Sequence, residues 1–141
     1  MKREWSISAY REGDEERIYE LYQAVYPSEQ RDWDEWMRSW RWIYKHNPAG
    51  SPIIYVAQFH DKIVSHYAII PVKMKVGNEI ITGSQVVGLM THPDYRGKGI
   101  SHTLRLQAFD EAGKRGMDIV YSFPNKMTSV HQKYWLKVGP R

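Results

Sequence analysis

Between Ile53 and Met90 the chain carries three β-type runs joined by connections too short for anything but hairpins. Ile53 to Phe59 is β-branched and aromatic, His60-Asp61-Lys62 is a turn, and Ile63 to Val76 is a long second run. Gly77-Asn78 then turns the chain, and Glu79 to Met90 returns. A parallel neighbour would need a crossover of a dozen or more residues, so these runs must form an antiparallel meander. Proline cannot donate to a strand ladder, so Pro71 is expected to interrupt the second run.

The meander ends in a junction of another kind. Val86-Val87-Gly88-Leu89-Met90 leads through Thr91-His92-Pro93-Asp94-Tyr95 into Arg96-Gly97-Lys98-Gly99-Ile100-Ser101. From there Ile100, Leu104, Ala108 and Ala112 mark one face of a helix ending at Gly116. A strand that turns tightly into a helix points several unpaired backbone N–H groups at one spot, where the helix dipole also favours negative charge. Gly97 and Gly99 let the backbone approach a ligand closely, and Arg96 and Lys98 add positive charge. The physical product is a site for a diphosphate-sized anion. A G-x-G turn also occurs in plain strand-to-helix connections, so the surroundings must decide.

The flanks complete a mixed architecture. Trp5 to Tyr10 alternates as a short first strand. Gly13-Asp14 precedes a helix with Ile18, Leu21, Tyr22 and Val25 on one face, stopped by Pro27. Asp32 is an N-cap for a second helix, whose Trp33, Trp36, Met37, Trp40 and Tyr44 recur at spacings of three and four. His46 to Gly50 ends it. After Gly116, Asp118 to Phe123 is a short apolar strand, and Pro124-Asn125 opens a last helix with Val130, Tyr134 and Val138. The order is β-α-α-β-β-β-α-β-α, an α/β fold with a mixed sheet, in a single domain over residues 1–141.

Composition excludes several chemistries. With no Cys, disulfides, thiolate nucleophiles and Cys-based metal sites are ruled out, and no His or carboxylate pair has metal-ligand spacing, so no metal is expected. The first sixteen residues are charged and no apolar run is long enough to span a bilayer, so a cytoplasmic protein without a membrane partner is expected. Residues 1–50 hold 8 Lys and Arg against 10 Asp and Glu, whereas residues 51–141 hold 12 against 6. The basic second half suits a solvated face, a nucleic acid or a small polyphosphate ligand. The modest charge and the absence of any RNA or DNA motif argue against nucleic acid.

Arg96 to Ser101 resembles the signature Q/R-x-x-G-x-G/A of the GNAT superfamily of N-acetyltransferases, with Ser101 where Gly or Ala is usual. Thr91 to Tyr95 is similar to the approach to that loop, and Phe123-Pro124-Asn125 and Lys137-Val138-Gly139 resemble the strand–Asn–helix–K-x-G stretch beyond it. The resemblance covers residues 50–139 by motif and the first fifty by element order. It implies acetyl-CoA as cosubstrate, with the pyrophosphate on the amides of Gly97, Gly99, Ile100 and Ser101 beside Arg96 and Lys98. The pantetheine arm would lie between parallel strands Val86–Met90 and Ile119–Ser122, against N–H groups near Leu89 and Thr91, with Asn125 bonding that arm as well as capping the last helix.

The implied reaction is direct acetyl transfer to a primary amine of a small molecule or amino sugar. The Leu89 N–H would stabilise the developing oxyanion. Tyr134 is the candidate general acid, one position off the family pattern, and it reads equally as a core aromatic. His92 or His66 is the candidate base, each with a structural alternative. The Trp face of the second helix reads as core or as part of an aromatic acceptor pocket. The family continues into two further strands beyond the position of Arg141. A longer chain or a homodimer is therefore expected to cover the edge at Ile119–Ser122. A catalytically silent acyl-CoA-binding module of a larger protein is the alternative.

Overall fold

The computed structural model describes residues 5–29, 31–117 and 119–121. Strands β1 (Ser6–Ala9), β2 (Ile53–Phe59), β3 (Lys62–Val76), β4 (Glu79–Thr91) and β5 (Val120–Tyr121) form one sheet in sequential order. Successive neighbours from β1 to β4 are antiparallel, and β5 joins β4 in parallel. Helices α1 (Glu15–Val25) and α2 (Trp33–Tyr44) lie between β1 and β2, and α3 (Ile100–Lys114) makes the crossover from β4 to β5. The α/β class and the element order hold. The last helix, which was expected to begin at Pro124-Asn125, lies outside the described residues.

The sheet has a different core on each face. One face buries Ile18 and Leu21 of α1 and Trp36, Trp40 and Tyr44 of α2 against Val56, Ala68 and Met90. The other buries Ile100, Leu104, Ala108 and Ala112 of α3 against Val64, Tyr67 and Val86. The period of two in a strand sends Ala68 and Ile70 to the first face and Tyr67 and Ile69 to the second. At about 1.5–3 kcal/mol for each large apolar side chain fully buried, these two clusters dominate the favourable side of folding.

Helix α2 follows its sequence signals. The Asp32 carboxylate accepts the Glu35 N–H at 2.8 Å, satisfying one of the amides that a helix start leaves free. Trp36, Met37, Trp40 and Tyr44 are buried, while Trp33 sits at the rim with its ring 5.9 Å from that of Trp36.

Pro71 does not interrupt β3, contrary to expectation. It stays in register opposite Ser84, while β2 has already ended at the Ile53–Ile69 pair. The Pro71 carbonyl, past the end of β2, accepts from Asn47 Nδ2 at 2.9 Å. A residue's N and O point to the same side of a strand, so the missing N–H would have had no ladder partner there. The irregularities lie elsewhere, at the β2–β3 register shift by Ala57 and Gln58 and in β4.

Candidate active site

The irregularity in β4 is a bulge. His66 pairs with Met90 and Ala68 with Val87, so Gly88 and Leu89 together oppose Tyr67. The extra residue reverses the alternation: Val86 and Leu89 both meet the α3 face, and Val87 and Met90 both meet the α1–α2 face. Gly88 adopts a left-handed φ of 62°. A Cβ there would lie 2.4 Å from Tyr44 Oη and 3.0 Å from His66 Cε1, so glycine is required by conformation and by space.

His66 is tied to this bulge. Its Nδ1 lies 2.6 Å from the Gly88 carbonyl oxygen. A carbonyl only accepts, so Nδ1 carries the proton and Nε2 the lone pair. Among the described residues Nε2 has no hydrogen-bond partner. Burial pushes the His66 pKa down to about 4, against a smaller opposing effect of the Gly88 bond, so the ring is neutral at physiological pH. The Tyr44 ring stands edge-on to it at 5.9 Å.

Three residues past Gly88 the strand ends, and the chain passes through a 3₁₀ turn, Pro93–Tyr95, into the basic loop. The His92 ring caps that turn, its Nδ1 accepting the Asp94 N–H at 3.1 Å. Thr91 Oγ1 lies 2.9 Å from Ser65 Oγ, and the Thr91 carbonyl accepts from Arg96 Nε at 3.1 Å. Gly97 and Gly99 take φ values of 77° and 78°, and a Cβ on either would meet nothing within 4 Å. Gly99 is the N-cap of α3 without a side-chain cap, and the Thr103 N–H is the donor to its carbonyl at 3.1 Å. The amides of Ile100, Ser101 and His102 therefore precede the helical ladder. Arg96 and Lys98 are exposed on the loop, with Lys98 Nζ 5.8 Å from the centre of the Tyr95 ring. Open space, left-handed glycines, early helix amides and two cations fit a diphosphate.

A cleft of about 510 Å³ opens on the α1–α2 side, lined among others by Tyr10, Trp40, Tyr44, Lys45, Asn47 and Ile54. Lys45 Nζ lies 4.9 Å from the Tyr10 ring centre and 5.8 Å from that of Trp40. Tyr44 is shared between this cleft and the bulge.

The model of the acetyltransferase (GNAT) domain family matches residues 6–135. The chain belongs to this family. No curated protein matches it. Among solved structures, this GNAT domain is similar to a transcriptional regulator from Bacillus halodurans C-125, at 20% identity and a TM-score of 0.71, over 97% of this chain and 93% of that one. It is also similar to glucosamine-6-phosphate N-acetyltransferase from Arabidopsis thaliana, at 16% identity and TM-score 0.68, over 92% and 88% of the two chains. An aminoglycoside acetyltransferase from an uncultured soil metagenomic sample, in complex with sisomicin, matches at 14% identity and TM-score 0.71, over 96% and 88%. At these identities the likeness shows the fold.

The GNAT domain brings Arg96, Gly97, Lys98, Gly99, Ile100 and Ser101 into one loop-to-helix junction, which follows the Pro93–Tyr95 turn after His92. It separates the two histidines: His66 is sealed beneath the bulge, whereas His92 is partly exposed at the loop. Tyr134 and Asn125 lie outside the described residues. Parallel pairing of β4 with β5 is seen at Ser84–Val120 and Gln85–Tyr121. Gly88 and Tyr44 were missed as site residues. A lone Gly inside an otherwise β-type run was the available signal for a bulge. Among the described residues, no group of three His, Asp or Glu is placed to hold a metal, and no helix is long and apolar enough to cross a membrane.

Proposed function

We propose that this GNAT domain transfers the acetyl group of acetyl-CoA directly to the primary amine of a small molecule. The observation that carries the reading is the pair formed by the β4 bulge at Gly88 and the basic, glycine-rich loop Arg96 to Ser101 that follows it along the chain. The cosubstrate supplies an activated thioester. The amides of Gly97, Gly99, Ile100 and Ser101, with Arg96 and Lys98, hold its pyrophosphate. The N–H groups of Leu89 and Thr91 orient its arm, and that of Leu89 meets the thioester oxygen. Outside the described residues, Asn125 joins the arm and Tyr134 is the proton donor to the leaving sulfur.

A neutral amine is needed for attack, so a proton must leave the acceptor. We assign that step to His92, directly or through water. Its Nδ1 accepts the Asp94 N–H, so the neutral ring carries its own proton on Nε2, and Nδ1 takes the acceptor's proton only by giving up that bond. The acceptor approaches through the cleft that shares Tyr44 with the bulge. Two structural neighbours are named for amino-sugar or aminoglycoside acetylation, so amino sugars head the panel to screen. The silent acyl-CoA-binding reading is favoured by one observation: both candidate bases already make structural hydrogen bonds.

Calorimetric titration of acetyl-CoA into the wild type and a Gly99→Glu variant tests the loop. Micromolar binding, about −8 kcal/mol, is expected for the wild type, with a loss on the order of 1,000-fold in the folded variant, about 4 kcal/mol. A folded wild type that gives no heat would sink the proposal. Thiol release with an amine panel then separates an enzyme from a silent binder.

A further inference from the structure

We propose that His66 is a positioning residue that aims the Leu89 backbone N–H, acting through the Gly88 carbonyl. This rests on the reading above, in which the Leu89 N–H meets the thioester oxygen. Gly88 C=O and Leu89 N–H belong to the same peptide unit. That unit is planar and trans, so its two polar groups point in opposite directions and turn together. Whatever holds the carbonyl sets the direction of the N–H.

His66 holds it. The 2.6 Å bond from Nδ1 is short, and it comes from a side chain 1% exposed on the neighbouring strand. The bulge makes such a clamp necessary. The ladder register passes over Tyr67, Gly88 and Leu89, and the left-handed Gly88 gives the peptide more rotational freedom than a regular strand position. Tyr44 closes off the alternative: its Oη stands where any Gly88 side chain would be. The peptide is thus held by a hydrogen bond at its oxygen and a steric wall at its α-carbon. A donor on the carbonyl also polarises the amide, which strengthens its N–H as a donor.

Among the described residues no charged group bears on the His66 titration, and the titratable ring beside it is that of Tyr44, whose pKa burial raises. Both groups stay neutral in the working range, so the Gly88 bond does not switch with pH there. A charged imidazolium at this point would compete with an incoming ammonium. A neutral donor does not.

Three measurements test the assignment on the full chain. In the wild type, nitrogen NMR of the imidazole should show the Nδ1–H tautomer of His66 from pH 6 to 8, and the Nε2–H tautomer would overturn the proposal. The second compares His66→Leu with His66→Asn, whose side-chain amide can place an N–H where Nδ1 stood. The Leu89 amide cross-peak should move in His66→Leu and stay near its wild-type position in His66→Asn. An unmoved peak in a folded His66→Leu variant would refute the coupling, and should that variant not fold, a displaced peak in His66→Asn would do so. Third, kcat should fall at least tenfold in His66→Leu and less than threefold in His66→Asn, with the KM for acetyl-CoA within threefold in both. Equal kcat values in the two variants would deny the clamp a role in turnover. If the wild type neither binds nor turns over acetyl-CoA, the proposed function fails, and the NMR results still decide whether His66 aims the Leu89 amide.

Discussion

The β4 bulge and the basic loop both rest on left-handed glycines, for opposite reasons. At Gly97 and Gly99 a Cβ would meet nothing within 4 Å, so only the backbone angle asks for glycine and the space beside it stays open for a ligand. At Gly88 a Cβ would strike Tyr44 Oη at 2.4 Å and crowd the His66 ring. The loop leaves open space beside its backbone, as its proposed role at a pyrophosphate requires. The bulge is shaped by what lies behind it. A recognition surface needs bare amides and room, whereas a group meant to point in one direction needs walls.

Substituting the two kinds of glycine should separate these roles. Gly88→Ala combines left-handed strain with a steric clash and should destabilise the fold by about 3 kcal/mol, read by urea unfolding. Adding Tyr44→Phe should recover part of that loss, and strict additivity in the double-mutant cycle would mean that the hydroxyl is not the wall.

The pH response should single out the bulge again. Between pH 6.5 and about 4 the unfolded chain protonates His66 while the folded chain does not, so unfolding takes up a proton. Stability contributed by His66 should therefore fall as the pH drops through that window, by up to about 3 kcal/mol, and be flat above it. The difference between wild-type and His66→Asn unfolding curves isolates this share, and parallel curves from pH 7 to 4 would show that His66 is not buried neutral.

The smallest effect belongs to the loop. Gly97→Ala carries the conformational strain alone and should cost about 1 kcal/mol, read as a shift in the urea midpoint. A cost equal to that of Gly88→Ala would erase the contrast between the two sites.

Much of the frame was legible in the sequence because its causes are local. Two tight turns made the meander antiparallel, Asp32 marked the start of α2, and the spacing of Ile100, Leu104, Ala108 and Ala112 defined the buried stripe of α3. The basic G-x-G junction was legible for the same reason, since the loop, the glycines and the helix start are consecutive. Pro71 misled because its effect depends on where the neighbouring strand stops, which is a property of β2 and not of β3.

The sequence by itself therefore determined the order of elements, the mixed sheet and the basic, glycine-rich strand-to-helix junction. Tertiary structure decided where β4 gains its extra residue, which face Leu89 takes, and that His66 is sealed against a carbonyl instead of open to a substrate. The reason is distance along the chain: Tyr44, His66 and Gly88 sit 22 residues apart in succession, and only the packing of α2 on the sheet makes them neighbours.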